Sequence, residues 1–377
     1  VKKPLRGAFI GFGFIAENGH APEYLRREAR GEAEIVAIAD VSRPRRDVAQ
    51  AMFPRASVYA DGLELLARKS AELDFVDITV PPYAHAEMAC AALAQGAHVL
   101  CEKPIATSPQ EARTMAKAAL SARRVLFPCH NYRHAPVVSE IRSILGTGII
   151  GRPRLVTLQT FRTMHARGVD GWRPDWRREK HYAGGGIAMD HGSHTFYLAF
   201  EWLGAYPTTV TAKLGNLSSY DTEDNFSCSL TFPTGIATAH LTWTAGVRKV
   251  LYTLHGDRGA IVADDDAVVI HRAPGQDGKS SSGADTRQAP SKWMDASHKE
   301  WFGALFEDFC QAMRDEQYVS PSTIDAIQCV ATIHAAYESA ALHSAEVAVP
   351  KPPNWSAVPT VTTVRPDTAH REPVPHP

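Results

Sequence analysis

Two adjacent charges and a proline, Glu102-Lys103-Pro104, directly follow the apolar run at residues 97–101. The run reads as a short buried strand. A strand interior would not tolerate the tripeptide, so it stands at the strand's carboxyl end. In open parallel sheets, ligands bind outside those ends. A lysine fixed there can hydrogen-bond a substrate oxygen and stabilise negative charge on it. The alternative reading is a solvated, charged turn.

A second constellation is Gly184-Gly185-Gly186 leading to Asp190-His191-Gly192-Ser193-His194. On a helix, Asp190 and His194 lie at i and i+4, on one face. A carboxylate one turn from an imidazole can orient it and hold it near a useful pKa for proton transfer. The glycines would let the backbone approach a cofactor closely. Asp190, His191 and His194 could instead ligate a metal. No further ligand cluster accompanies them, so no metal is expected.

Gly11-Phe12-Gly13-Phe14-Ile15-Ala16 forms a G-x-G-x-x-A pattern between a strand and a helix. The first glycine allows a tight turn, and the second lets a pyrophosphate approach the backbone. Backbone N–H groups and the helix dipole then hold the phosphates. The turn from Gly11 to Ile15 is therefore expected to bind a dinucleotide. Asp40 ends the next strand, where a carboxylate accepts from ribose hydroxyls and repels a 2′-phosphate. It favours NAD. Arg43, Arg45 and Arg46 follow, and Arg45 is the candidate contact that keeps NADP open; a solvated helix face is the other reading.

Further positions line the expected crevice. Pro81, His85, Glu102 and Lys103 stand at strand exits and are expected against the cofactor, with a helix-capping role as the alternative for His85. Tyr132 and Arg133 follow the last strand of the first half. A polar, aromatic-rich loop carries His165, Arg167 and Trp176. Tryptophan faces pack on sugar C–H surfaces, and arginines bind hydroxyls or carboxylates. With Lys103, Asp190, His191 and His194, these are the candidate substrate contacts.

The elements that must position these groups show in the periodicity. Strand-like runs at residues 5–11, 34–40, 73–80, 97–101 and 124–129 alternate with helical patterns, including residues 109–122 capped by Ser108. Such βαβ alternation argues for a doubly wound parallel sheet. After His130, a helix near 135–145 leads to longer strands at 154–163, 208–217, 225–232, 236–243 and 250–256. Their alternation suits a largely antiparallel sheet with one covered face. Residues 184–203, 297–314 and 323–344 read as helices. Residues 274–290, rich in Gly and Ser, read as an irregular loop. The proline-rich stretch from 350 reads as an extended arm lying on its own or a neighbouring subunit. The expected division is 1–129, 130–349 and the arm at 350–377.

With 377 residues, about two domains are expected, and 44% hydrophobic residues suffice for sizeable cores. Forty basic residues balance 41 acidic ones. That balance argues against a nucleic-acid or membrane-surface partner. Six cysteines without a C-x-x-C pair suggest buried free thiols in a reducing cytoplasm. The apolar run at 8–16 is broken by glycines and lacks a cleavage site, so it reads as a strand and turn rather than a secretory signal. Val1 suggests an initiator or leader removed from the sequence.

These pieces, in this order, resemble the glucose–fructose oxidoreductase / inositol dehydrogenase / MocA family. The resemblance rests on Gly11-x-Gly13-x-x-Ala16, the segment from His85 through Glu102-Lys103-Pro104, and Gly184-Gly185-Gly186 to Asp190-x-Gly192-x-His194, and spans about residues 5–345. It implies an N-terminal Rossmann domain and a C-terminal α/β domain with a large, open, mostly antiparallel sheet. It further implies a homodimer or homotetramer through that sheet, and a cis Pro104. The implied activity is NAD(P)-dependent oxidation or reduction of a secondary alcohol or ketone of a sugar, inositol or related polyol. His194 would then take the hydroxyl proton, Lys103 polarise the oxygen and Asp190 orient the imidazole. A glycoside hydrolase using NAD without net redox and a non-catalytic sensor are the rival readings. The proline-rich tail and Tyr83 depart from the family pattern.

Overall fold

The computed structural model describes residues 3–273, 284–293, 295–353 and 355. Its first sheet holds β1 (Leu5–Ile10), β2 (Ala33–Ala39), β3 (Ser57–Tyr59), β4 (Phe75–Ile78), β5 (His98–Cys101) and β6 (Leu126–Pro128). All pair in parallel in the order β3-β2-β1-β4-β5-β6. The strands are almost continuously apolar and buried because helices cover both faces. These helices include α1 (Ala21–Ala29), α2 (Arg43–Met52), α3 (Gly62–Lys69), α4 (His85–Ala94) and α5 (Pro109–Ala122). Ser108 caps α5 by accepting from Glu111 N. The strand order reverses between β1 and β4, which opens a crevice at their carboxyl ends.

The second half adds α6 (Pro136–Gly146), α7 (Lys180–Ala183), α8 (Ile187–Leu203), α9 (Lys299–Arg314) and α10 (Pro321–Ala341). It also holds β7 (Pro153–Phe161), β8 (Thr209–Gly215), β9 (Asn225–Phe232), β10 (Gly235–Thr242), β11 (Lys249–Gly256), β12 (Gly259–Asp264), β13 (Ala267–Arg272), β14 (Ala284–Gln288) and β15 (Val347–Ala348). These nine strands form one sheet, antiparallel except for β7 beside β10. Alternate residues of β9 and β11 are buried, and the core they enclose holds most of α8. Because α8 lies inside this layer, its sequence is apolar nearly all round.

The C-terminal helices return to the first sheet. Phe302, Leu305, Phe306 and Phe309 of α9 share a core with Phe9, Tyr24 and Phe75 on one face. Ala326, Ile327 and Val330 of α10 join the core on the other. Each buried aromatic contributes roughly 1.5–3 kcal/mol. This packing ties the nucleotide-type sheet to the second half of the chain.

The helical run begins at Phe14, as expected, and passes through a π-helical turn over Ala16–His20, which turns His20 inward, before α1. Residues 284–288, expected as irregular loop, form the edge strand β14 paired with β13. Its alternating charged residues suit an edge, where one side meets water. Residues 274–283 lie outside the described residues. The Lys103–Pro104 bond is cis, as the resemblance implies. At the start of the proline-rich stretch, Gln328 donates to the Pro350 carbonyl and Trp355 packs on the core beside α10. The arm beyond lies outside the described residues.

Candidate active site

A cavity of about 730 Å³ extends from Gly11, Gly13 and Asp40, past Lys103, Asp190 and His194, to Arg162, Arg248 and His298. Its first part is the β1–β4 crevice. Gly11 has φ +91°, and a Cβ there would sit 2.7 Å from Val80 N. A Cβ at Gly13 would meet nothing within 4 Å, so the cavity reaches its backbone. Asp40 accepts from Phe12 N at 2.6 Å and from Ser42 N at 2.8 Å, which fixes the carboxylate at the strand end. Phe14, Ile15 and Pro81 also line this part. The residues fit a dinucleotide.

Not every expected cofactor contact reaches the cavity. The Phe12 ring is fully buried in the core, leaving only its backbone at the turn. His85 is buried too, with its ring nitrogens 2.8 Å from the carbonyls of Val80 and Pro104. It joins the two strand exits, because a buried imidazole needs polar partners. Arg45 does line the cavity, yet its guanidinium donates to Phe12 O and Glu17. It is committed to bracing the glycine turn.

Glu102 lines the cavity, as expected, and also joins a buried network that sequence reasoning missed. His20 Nδ1 lies 2.9 Å from Asp77 Oδ2, and its Nε2 lies 3.3 Å from Glu102 Oε1. Tyr24 donates to Asp77, and Glu102 Oε2 accepts from Lys103 N at 3.0 Å. Burial opposes a charge on His20, but the two carboxylates outweigh it and raise its pKa from 6.5 to about 9. Burial likewise disfavours the Glu102 anion, and His20 with Lys103 reverses this, lowering its pKa. The His20–Asp77–Cys129 group has metal-ligand spacing; the two carboxylates already occupy its imidazole.

This clamp predicts a pH effect on stability. A raised folded pKa means that the contribution is complete below pH 6.5 and is lost as pH rises through about 9. The shift corresponds to on the order of 3 kcal/mol. Thermal unfolding of wild type and His20→Asn between about pH 7 and 10 checks this. The wild type is expected to lose its advantage across that window; parallel curves would refute the clamp.

At the second part of the cavity, Lys103 Nζ donates to Asp190 Oδ1 at 2.7 Å and to Asp190 O at 3.1 Å. Arg177 Nε lies 3.7 Å from the same carboxylate oxygen. Burial alone would raise the Asp190 pKa, but Lys103, Arg177 and His191 pull it well below 3.8. His194 has its pKa well below 6.5, through burial and then the Lys103 charge. It is a neutral imidazole.

Asp190 was expected to orient His194. The structure assigns this to two tyrosines. His194 Nδ1 lies 3.1 Å from Tyr197 Oη, and the ring stacks on Tyr132 at 3.9 Å and 12°. The reason is electrostatic: Lys103 and Arg177 hold the carboxylate, while Tyr197 is the neighbour at i+3 on the same helix. Tyr197 Oη also accepts from Tyr132 N. For Nε2 to act as a base, Nδ1 carries the hydrogen and donates it to Tyr197 Oη.

The three glycines are also reassigned. A Cβ at Gly185 would lie 2.0 Å from Tyr337 Oη, and one at Gly186 would lie 1.8 Å from Glu223 O. They admit protein, not chiefly a cofactor. Glu223 accepts from Gly186 N, Ala188 N and Tyr337, capping α8. Only its distance in sequence hid it.

Tyr132, His165, Arg167, Trp176 and His191 all line the cavity. His165 pairs with Asp175 at 3.0 Å, and Arg177 lies over the Trp176 ring at 4.3 Å. Arg133 does not line it. Its guanidinium is held by Asp325 and Ser322 of α10, because a buried cation requires a counter-charge.

Residues 5–130 match the family described as "Oxidoreductase family, NAD-binding Rossmann fold", and residues 138–262 match the "GFO/IDH/MocA C-terminal domain". Over 201 residues the chain is 32% identical to D-glucoside 3-dehydrogenase of Escherichia coli K12, covering 53% of this chain and 54% of that protein. The match thus spans about half of that relative's length. Levoglucosan dehydrogenase of Pseudarthrobacter phenanthrenivorans is 27% identical, covering 72% of this chain and 79% of that one. Among solved structures, a levoglucosan dehydrogenase with NADH shares the fold, with TM-score 0.80 and 24% identity, over 93% of this chain and 100% of that chain. With both halves matched in sequence and their site residues meeting in one cavity, the chain belongs to the Gfo/Idh/MocA family of NAD-binding oxidoreductases.

Proposed function

We propose that the protein is an NAD(P)-dependent oxidoreductase acting on a secondary alcohol or ketone of a sugar, inositol or related polyol, with NAD preferred. The observation that carries this reading is the Lys103–Asp190 pair at 2.7 Å beside neutral His194, in the cavity that opens at Gly11. The names of the relatives, a glucoside and a levoglucosan dehydrogenase, support a sugar-like substrate. Asp40 and the committed Arg45 support NAD over NADP.

The turn from Gly11 to Ile15 and Asp40 would hold the dinucleotide, whose nicotinamide supplies a hydride acceptor when bound. Lys103 donates a hydrogen bond to the carbinol oxygen and stabilises charge developing on it. His194 takes the hydroxyl proton at Nε2, since forming an alkoxide without a base is too costly at neutral pH. Asp190, itself braced by Arg177, holds the Lys103 ammonium in place. In the reverse direction the same groups return the proton to a ketone.

The test is a screen by NADH absorbance over inositols, aldoses, amino sugars and anhydro sugars, with both cofactors. Turnover that depends on the added polyol is expected. Sugar release without net NADH change, or no turnover with any polyol, overturns the reading.

We further propose assembly as a homodimer or homotetramer through the outer face of the second sheet. Leu155 and Ile236 stand side by side there on β7 and β10 and are 43% and 44% exposed. Paired apolar side chains on an open sheet face support a covered interface. Leu155→Glu with Ile236→Lys is expected to shift the molar mass in light scattering to the monomer; an unchanged mass refutes this face. Among the described residues no helix is long and apolar enough to cross a membrane. A cytoplasmic location is our reading, supported by the free thiols of Cys90, Cys101, Cys129, Cys228 and Cys329.

A further inference from the structure

The far wall of the cavity is unusually cationic. Arg162 follows β7 and Arg248 precedes β11, so both reach the cavity from the second sheet, opposite the glycine turn. Arg162 is 6% exposed. Its Nη1 donates to Phe161 O at 2.9 Å and approaches Lys249 O at 3.4 Å, while Nη2 is buried without a partner. Arg248 Nε is also buried without a partner. Among the described residues, no carboxylate lies within 4.0 Å of either guanidinium. Asp265, which faces Arg248, is taken by Lys249 at 3.0 Å and Val250 N at 2.8 Å.

The nearby acids do not supply the missing charge. Asp190 is shared by Lys103 and Arg177. Glu102 is matched by His20 beneath the wall. His298, the neighbouring ring, is driven down to about 3 by burial, Arg248 and Arg162, and stays neutral. Its Nδ1 is buried without a partner. Arg162 and Arg248 therefore line the cavity with no carboxylate of their own among the described residues, while Asp190 is already shared by Lys103 and Arg177. A buried guanidinium without a counter-charge is costly, and removal of its anion is more costly than formation of the pair is favourable. The dinucleotide phosphates cannot serve, because their donors are the N–H groups of the turn at the other end. Hydroxyls of a neutral polyol can accept hydrogen bonds but leave the charge uncompensated.

We propose that the substrate is a sugar acid, a polyol bearing a carboxylate, and that Arg162 and Arg248 seat this carboxylate while the reacting carbinol faces Lys103 and His194. Both guanidinium groups line the cavity and neither has a carboxylate partner, so a carboxylate seated between them would supply the missing charge through charge-assisted bonds. The proposal rests on the oxidoreductase reading above. It narrows the substrate class within it.

The test compares kcat/KM with NAD for neutral aldoses, their uronates and aldonates, and their phosphates. The full chain is used, with wild type, Arg248→Met and Arg248→Lys. Sugar acids are expected to exceed their neutral counterparts by roughly 10- to 100-fold in wild type, the worth of a bond to a charged group. In Arg248→Met that ratio is expected to collapse through a rise in KM for the acid, and Arg248→Lys is expected to restore part of it. NADH binding by fluorescence reports whether each variant is folded. A wild type that oxidises neutral sugars as well as acids overturns the carboxylate site and leaves the oxidoreductase reading intact. Preference for phosphates over acids also overturns it. A wild type that binds NADH but turns over nothing in any class overturns the reading itself.

Discussion

Replacing Lys103 with alanine is expected to lower kcat on the order of 10²- to 10³-fold, while NADH still binds. Lys103 Nζ sits at the meeting point of the two halves, 2.7 Å from Asp190 Oδ1. Two of its three N–H donors go to Asp190, which leaves the third for a carbinol oxygen in the cavity that Lys103 lines. The residue therefore acts on a charge that exists only during the reaction, so the loss falls on kcat more than on KM. Single-turnover absorbance and NADH titration separate the two. A turnover number within a few-fold of wild type would sink the role. Lys103→Arg is a sharper control, because it keeps the charge but replaces a compact ammonium with a wide planar fork. It is expected to recover little.

The second large effect is at His194. His194→Ala is expected to lower kcat/KM on the order of 10²- to 10⁴-fold for oxidation. The pH profile carries the more specific signature. Burial and the Lys103 charge hold this imidazole neutral well below its ordinary value of 6.5. A base must be unprotonated, so activity due to this group is complete at neutral pH and falls only as pH drops through the lowered pKa. The acid limb of kcat/KM is therefore expected below pH 6.5 in wild type and absent from the residual activity of His194→Ala. An acid limb at or above 6.5 that survives the substitution would assign the proton to another group. The neutral form also suits the stack on Tyr132 and the bond to Tyr197.

Local chemistry made much of this legible from sequence. Strand and helix periods are set by residues near in the chain, so Asn225–Phe232 and Pro109–Ala122 were expected with the bounds observed. The glycine turn and the Lys103 strand exit are local motifs as well. The edge strand Ala284–Gln288 was not expected, because an edge strand of charged residues has no apolar period to betray it. The π-turn over Ala16–His20 was missed for a related reason: it exists to bring His20 onto carboxylates 57 and 82 positions away, a distance no local pattern records.

The sequence by itself determined which groups were candidates for the chemistry, with Lys103 at the carboxyl end of a strand and Asp190 and His194 on one helix. Lys103, Asp190 and His194 were identifiable there because residue type and helical spacing decide such placement. Only the tertiary structure decided their partners. It gave Asp190 to Lys103 and Arg177, gave His194 to Tyr197 and Tyr132, and withdrew Arg133 and His85 into the framework. It also left Arg162 and Arg248 without counter-charges on one cavity wall. The physical reason is that a buried charge or ring is satisfied by whatever the packed sheets bring within a few ångströms, and that proximity is a property of the fold rather than of neighbours along the chain.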